Sequence, residues 1–198
     1  MFITFEGPEG AGKSTLIRSL ASELESLGHD VLTTREPGAG EFGQAIRSLL
    51  LHGDDLPATS EVFLFLADRS HHMVKIIQPA LNEDRVVLCD RHAESTIVYQ
   101  GYARGLDVEL LRKMNLMATG NVRPDLIFLL DLPVEVGLSR IENKDRLDSE
   151  PIEFHQKVRD GFLAEREREP SRWHKIDATQ APQAILTEAL GEIKKRLK

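Results

Sequence analysis

The stretch Gly7-Pro8-Glu9-Gly10-Ala11-Gly12-Lys13-Ser14 decides the interpretation of this chain, because it fits the phosphate-loop pattern G-x-x-x-x-G-K-[ST]. It follows an apolar run at residues 2–6 and precedes Leu16, Leu20 and Leu24, which recur at helical spacing. In such a loop the backbone N–H groups surround an anion, the lysine adds positive charge and the serine hydroxyl can ligate Mg²⁺. The segment is therefore interpreted as a nucleoside triphosphate site rather than an ordinary turn.

Apolar runs typical of strands alternate with amphipathic stretches along the whole chain. Strands are predicted at residues 2–6, 30–34, 86–90, 126–131 and 173–177. Helices are predicted near residues 13–27, 41–51, 60–81, 108–119, 134–142, 152–169 and 184–197. The alternation predicts an α/β fold of the three-layer P-loop NTPase type, with a five-stranded parallel sheet flanked by helices in one domain spanning residues 1–198.

One predicted helix is unusually apolar. Residues 62–66 could form a buried strand, but the run continues without turn residues and so favours a helix. A helix that is apolar on most sides is buried on most sides. Burial within the core and burial against a second subunit both remain open.

Composition and charge limit the partners that the chain can have. Its 198 residues can bury a core of their own, and a net charge of −7 argues against general affinity for nucleic acid or anionic membranes. The single cysteine, Cys89, excludes an internal disulfide and is expected to be a buried strand thiol. We see no membrane span or export signal, and we expect a cytoplasmic protein. The paired histidines His71 and His72 are expected on a helix surface.

Charged residues follow two further predicted strands. Arg35 begins the turn Arg35-Glu36-Pro37-Gly38, in which Pro37 is a candidate for a cis bond, and Asp90 and Arg91 follow the third strand. Ligands bind at the carboxyl ends of the strands in an open parallel sheet. Both arginines could therefore meet anions, and Asp90 could orient Mg²⁺. A surface ion pair for Arg35 and a helix N-cap role for Asp90 are the alternatives.

Two pairs of residues could form a pocket for a planar base. Phe65 and Arg69 are four residues apart and would share a helix face, offering an aromatic plane and a hydrogen-bonding fork. Thr96 and Tyr99 are three apart and could line the same pocket. Taken singly, Phe65 and Tyr99 are also consistent with core packing.

A charged segment at about residues 139–150 lies between two helical patterns. By default it would be a solvated loop. Phosphoryl transfer, however, needs positive charge over the migrating group and exclusion of water, which a mobile lid supplies. Arg140 and Arg146 are the stronger candidates for that role, and Lys144 is a weaker one.

These pieces, in this order, resemble the thymidylate kinase family, and the resemblance covers nearly the whole chain. It rests on residues 5–14, 34–38, 63–69, 90–92, 99–101, 123–126 and 145–147. The resemblance implies transfer of the γ-phosphoryl of ATP to dTMP, which gives dTDP and ADP for dTTP synthesis. It also implies Mg²⁺ as cofactor and a homodimer.

The resemblance further implies roles for individual residues in holding dTMP. Phe65 would stack on thymine, and Arg69 would bond the base edge with Thr96 nearby. Tyr99 would lie where a ribose 2′-hydroxyl would project. The implied substrate-binding set is Glu9, Arg35, Phe65, Arg69, Arg91, Thr96 and Tyr99.

On the acceptor side, the resemblance also implies that Glu9 approaches the sugar 3′-hydroxyl and that Arg35 and Arg91 hold the monophosphate. Mg²⁺ would be bound by Ser14 and Asp90. The implied ATP-binding set is Gly7, Pro8, Glu9, Gly10, Ala11, Gly12, Lys13, Ser14, Thr15, Asp177 and Thr179. The implied catalytic set is Glu9, Lys13, Arg91, Arg140 and Arg146.

The loop interior, residues 8–11, contains no basic residue. Within the family this implies that the lid supplies the basic group, here Arg146 or Arg140. Three positions depart from the usual family pattern: Ala39 and Ala103 stand where glycine is common, and His92 replaces a more frequent tyrosine.

Two rival functions remain. Another nucleoside monophosphate or a nucleoside could be the acceptor, although Arg35 and Arg91 favour a phosphorylated one. A nucleotide-dependent switch is the second rival, but the sequence lacks an Asn-Lys-x-Asp segment to select guanine.

Overall fold

The computed structural model describes residues 1–53, 55–143 and 145–197. Within these residues one sheet has five parallel strands in the order β2-β3-β1-β4-β5. The strands are β1 Phe2–Glu6, β2 Val31–Arg35, β3 Val86–Asp90, β4 Leu126–Asp131 and β5 Trp173–Asp177. The predicted sheet is confirmed, and only β2 differs, lying one residue later than expected.

Helices cover both faces of this sheet. They are α1 Lys13–Ser26, α2 Gly40–His52, α3 Ala58–His72, α4 Gln78–Asn82, α5 Ala93–Thr96, α6 Val108–Ala118, α7 Val134–Ser139, α8 Ile152–Arg168 and α9 Pro182–Lys194. A π-helical stretch, Met73–Ile77, joins α3 to α4, so the helix predicted at residues 60–81 is confirmed with a widened turn inside it. The ambiguous run at residues 62–66 is helical.

The helical segment between β3 and α6 was not predicted. It consists of α5 followed by the π-helical stretch Ile97–Ala103. Its β-branched and aromatic residues have weak helix propensity, so the sequence carried little helical signal there. Packing supplies the stability instead, because Val98 and Tyr99 are buried against Phe154 and Phe162 of α8.

Three layers enclose the core. Helices α1 and α9 bury their leucines and isoleucines on one sheet face, with Leu20 and Ile193 inaccessible to solvent. On the opposite face α8 covers β4, and the π-helical stretch after α3 covers β3. Cys89 is fully buried in β3, as predicted. Among the described residues, no helix is both long and apolar enough to cross a membrane.

The carboxyl ends of β1, β2 and β3 meet at one edge of the sheet. Close packing fixes the phosphate loop there: a Cβ on Gly7 would lie 2.3 Å from the Leu130 carbonyl oxygen. A Cβ on Gly10 would lie 2.0 Å from the Gly137 carbonyl oxygen. Only glycine fits at either position, and both also have positive φ angles.

Candidate active site

The phosphate loop leads directly from β1 into α1. Lys13, the first residue of α1, is buried, and its Nζ donates to the carbonyl oxygens of Gly7 at 3.1 Å and Pro8 at 2.9 Å. Burial and the nearby charge of Arg91 lower the pKa of Lys13 to about 8. The loop thus places an ammonium group among its own carbonyls, where an incoming phosphate would compete for it.

The two predicted metal ligands lie side by side. Ser14 Oγ donates a 2.6 Å hydrogen bond to Asp90 Oδ2. A hydroxyl and a carboxylate are hard oxygen donors of the kind that bind Mg²⁺ directly or through its waters. The N-cap residue of α5 is His92, without a side-chain cap bond, so the N-cap alternative for Asp90 is wrong.

A cavity of about 430 Å³ opens on the α9 side of the phosphate loop. Its lining includes Gly10, Ala11, Gly12, Thr15, Leu130, Arg140, Ala178, Gln180, Pro182 and Ile185. The predicted ATP-binding residues Asp177 and Thr179 do not line it. The Asp177 carboxylate instead accepts from Thr179 N and Oγ1. Their neighbours Ala178 and Gln180 form the wall instead. Arg140 Nη1 lies 3.3 Å from the carbonyl oxygens of Gly10 and Ala178.

A second cavity lies on the other side of the loop. The structure brings six of the predicted substrate-binding residues together in its wall: Glu9, Phe65, Arg69, Arg91, Thr96 and Tyr99. The seventh, Arg35, lines the opening between the two sides together with Lys13, Ser14, Asp90 and Arg91. The Glu36-Pro37 bond that follows Arg35 is cis.

Arg69 is held by an unusually complete set of hydrogen bonds. Its Nε donates to Glu36 Oε2 at 2.8 Å, and its Nη2 donates to the His92 carbonyl at 2.9 Å. Its Nη1 donates to Thr96 Oγ1 at 2.9 Å and to Asn115 Oδ1 at 2.6 Å. The side chain is 1% exposed yet lines the cavity, so it presents a rigid edge to any ligand there.

Glu36 is the anion at the centre of this network. His72 and His92 each place Nδ1 2.9 Å from its Oε1. Burial opposes its ionisation, but the charges of Arg69 and His92 hold the pKa of Glu36 well below its usual value. The expectation that His71 and His72 both lie on the surface is wrong for His72, which is buried with its two ring nitrogens against Glu36 and Thr34.

Glu9 points from the phosphate loop into the second cavity. Its Oε1 accepts from the Tyr99 hydroxyl and from Arg91 Nη2 at 3.4 Å, and its Oε2 lies 3.2 Å from His155 Nδ1. Burial opposes ionisation, but the hydrogen bond with His155 and the charge of Arg91 lower the pKa of Glu9 to about 2. Arg91 Cζ also lies 5.1 Å from the centre of the Tyr99 ring.

In the lid segment, Arg140 and Arg146 have different surroundings. Arg146 Nε donates to the Leu50 carbonyl at 3.0 Å, and its Nη2 donates to Glu61 Oε1 at 2.7 Å. Its side chain is therefore held by α2 and α3 rather than by the phosphate loop. Lys144, the weaker candidate, lies outside the described residues.

Sequence reasoning missed two functional candidates. Arg47 of α2 lines both the second cavity and the opening, with Nη1 3.0 Å from the Pro37 carbonyl. An arginine on the helix just after the Arg35 turn was an available signal. His155 of α8 had none, because only the tertiary fold brings it to Glu9 across 146 positions of sequence.

Comparison with known proteins identifies the family. The sequence profile described as thymidylate kinase matches residues 5–189. The chain belongs to the thymidylate kinase family. A thymidylate kinase from Desulfovibrio desulfuricans is 47% identical, with 100% of this chain and 97% of that protein covered. One from a Synechococcus strain is 46% identical, with coverages of 100% and 96%.

A solved structure agrees. The thymidylate kinase of Ehrlichia chaffeensis superposes with a TM-score of 0.82 at 35% identity, covering 98% of each chain. The predicted fold, family and enzyme class are confirmed.

Proposed function

We propose that this chain transfers the γ-phosphoryl of ATP to dTMP, giving dTDP and ADP for dTTP synthesis. The observation that carries this proposal is the pair of cavities on either side of one phosphate loop. Gly10 lines the first cavity and the opening, while Glu9 and Arg91 line the second cavity and the same opening. Two nucleotides bound in these cavities would meet with their phosphates between them.

The reaction requires alignment and charge more than covalent chemistry, because the monophosphate oxygen is already a nucleophile. Lys13 and the loop N–H groups would hold the donor phosphates. Arg35, Arg47 and Arg91 would hold the acceptor phosphate. All three arginines line the opening between the cavities, which supports this assignment.

The second cavity suits a pyrimidine deoxynucleotide. Phe65 would cover the base, and Arg69 would meet its edge, since its guanidinium is fixed by four hydrogen bonds. Tyr99 is 4% exposed and lies beside Glu9, which would face the sugar. Its ring would leave no room for a 2′-hydroxyl.

Mg²⁺ fits the Ser14 and Asp90 oxygens, and when bound it would neutralise charge on the bridging phosphates. For the lid, Arg140 is the better-placed group on the donor side because it already contacts the phosphate loop. Arg146 would reach the phosphates only after releasing Glu61.

A homodimer and cytoplasmic action complete the proposal. Exposed apolar side chains lie at helical spacing on neighbouring helices: Phe42 and Leu49 on α2, Phe63 and Val74 on α3 and the stretch after it, at 42%, 53%, 61% and 65% exposure. A patch of this kind on a compact domain fits a subunit interface. Use of ATP and a lone buried thiol fit a reducing compartment.

The test is a turnover assay with ATP and a panel of nucleoside and deoxynucleoside monophosphates, together with thymidine. We expect dTMP to give the highest kcat/KM and thymidine to give no product. A comparable rate with thymidine, or a preference for a purine monophosphate, would reject the proposal.

A further inference from the structure

His155 occupies an unusual position for a buried histidine. It lies in the first turn of α8, is 1% exposed, and approaches the phosphate loop through Nδ1, which is 3.2 Å from Glu9 Oε2. The other Glu9 oxygen accepts from Tyr99 and Arg91. The two carboxylate oxygens therefore have different partners: one faces Tyr99 and Arg91 of the second cavity, and the other faces α8.

The electrostatics favour an ion pair at this contact. Burial opposes a charge on His155, but its hydrogen bond with Glu9 and the Asp148 backbone contact raise its pKa above the ordinary value. The same hydrogen bond contributes to the low pKa of Glu9. A charge-assisted bond is stronger and more directional than a neutral one, so it can fix the orientation of the carboxylate.

The contact also joins the lid segment to the loop. Helix α8 begins two residues after Glu150, which is held by Arg104 Nη2 at 2.8 Å. A displacement of the first turn of α8 would move His155 and withdraw a partner from Glu9. Tyr99 and Arg91 would then be the remaining partners of that carboxylate.

We propose that His155 is a positioning residue that holds the Glu9 carboxylate toward the acceptor, and so makes the contact between Glu9 and the substrate sugar depend on the position of α8. The inference rests on the proposed function, because Glu9 acts on dTMP only if dTMP is the substrate. His155 itself touches Glu9 rather than the reacting atoms.

The test is a double-mutant cycle measured with dTMP and ATP. His155→Leu removes the donor and should lower kcat/KM for dTMP by roughly ten- to a hundredfold, the usual cost of a lost charged hydrogen bond. His155→Asn carries an N–H near the Nδ1 position and should restore most of this loss. In a Glu9→Ala background, His155→Leu should change kcat/KM by less than about twofold, because the partner is already absent.

Two further variants keep the test decisive. His155→Gln is polar but places its amide where Nε2 lies rather than at the Nδ1 position, so it should lower kcat/KM about as much as His155→Leu. It therefore tests the contact even if the leucine variant folds poorly. Gln156→Leu, at the exposed neighbouring position, should retain normal kcat/KM.

Equal losses from His155→Leu with and without Glu9 would show that the histidine serves only packing and would overturn the inference. Normal activity of His155→Gln would also overturn it. A wild-type chain that does not phosphorylate dTMP at all would instead reject the proposed function.

Discussion

At the scale of single residues, Glu6 is a carboxyl group buried beneath Arg91, one of the arginines proposed to hold the acceptor phosphate. It is inaccessible to solvent and accepts from His92 N at 2.8 Å and from Ser95 Oγ at 2.5 Å. Ser95 Oγ in turn accepts from Arg91 Nη1 at 3.3 Å. Glu6 thus anchors the turn in which Arg91 adopts a φ of 65°, an uncommon angle for a side-chain-bearing residue.

This burial predicts a pH-dependent stability. Burial, aided by the charge of Glu94, raises the pKa of Glu6 from 4.5 to about 7. Between those pH values the folded chain keeps a proton that the unfolded chain has released, so stability falls as pH rises. Glu6→Gln lacks this titration. As pH rises from 4.5 to 8, the free energy of unfolding of the variant should therefore increase relative to that of the wild type by up to roughly 3 kcal/mol. Urea unfolding across that range measures the difference, and parallel curves would contradict the account.

Tyr99 predicts the sugar preference. Its ring packs between Phe154 and Phe162, with centroids 6.1 and 6.2 Å away, so a leucine can fill the apolar part of the site. Tyr99→Leu should lower the kcat/KM ratio of dTMP to its ribonucleotide counterpart by about tenfold, because the space for a 2′-hydroxyl opens. Tyr99→Phe keeps the ring and serves as the control. An unchanged ratio in the leucine variant would reject the role.

At the scale of elements, the phosphate loop depends on its contact with α7. A Cβ on Gly137 would lie 2.3 Å from the Glu9 carbonyl oxygen, which is backbone and cannot swing away. Gly137→Ala should therefore displace the loop, raise KM for ATP and cost about 1–3 kcal/mol of stability. Gly191→Ala in α9 is the matched control: its Cβ meets nothing within 4 Å, so it should be neutral or stabilising. Normal ATP kinetics in Gly137→Ala would contradict this dependence.

The sequence predicted helices and strands well where the hydrophobic periodicity and the turn-forming residues indicated the same boundaries. The strands and α1 followed from apolar runs, and Gly28 ends α1 with a φ of 91° as expected of a C-terminal glycine. The helical segment at residues 93–103 was not predicted, because tertiary packing rather than helix propensity stabilises it.

At the site, local motifs identified the residues that follow strands. They could not identify His155 or the burial of His72, because those positions depend on contacts between distant parts of the chain.

At the scale of the whole molecule, the apolar face of α2 and α3 predicts self-association. Phe63 is 61% exposed, and a charge there would have to be desolvated in an interface. Phe63→Glu should convert a dimer into a monomer in sedimentation velocity experiments. Leu27→Glu, at a residue 50% exposed at the end of α1, should leave association unchanged. A wild-type monomer, or a Phe63→Glu variant that remains dimeric, would reject this interface.

The two cavities and the phosphate loop between them form one site for the transfer of a phosphoryl group between two nucleotides. The most direct test follows the label from γ-³²P-ATP during turnover with dTMP, with Lys13→Ala as the inactive control. We predict that the label appears in dTDP, and that the lysine variant folds normally but transfers at least about a hundredfold more slowly. Label released only as inorganic phosphate, or transfer at a normal rate by Lys13→Ala, would contradict it.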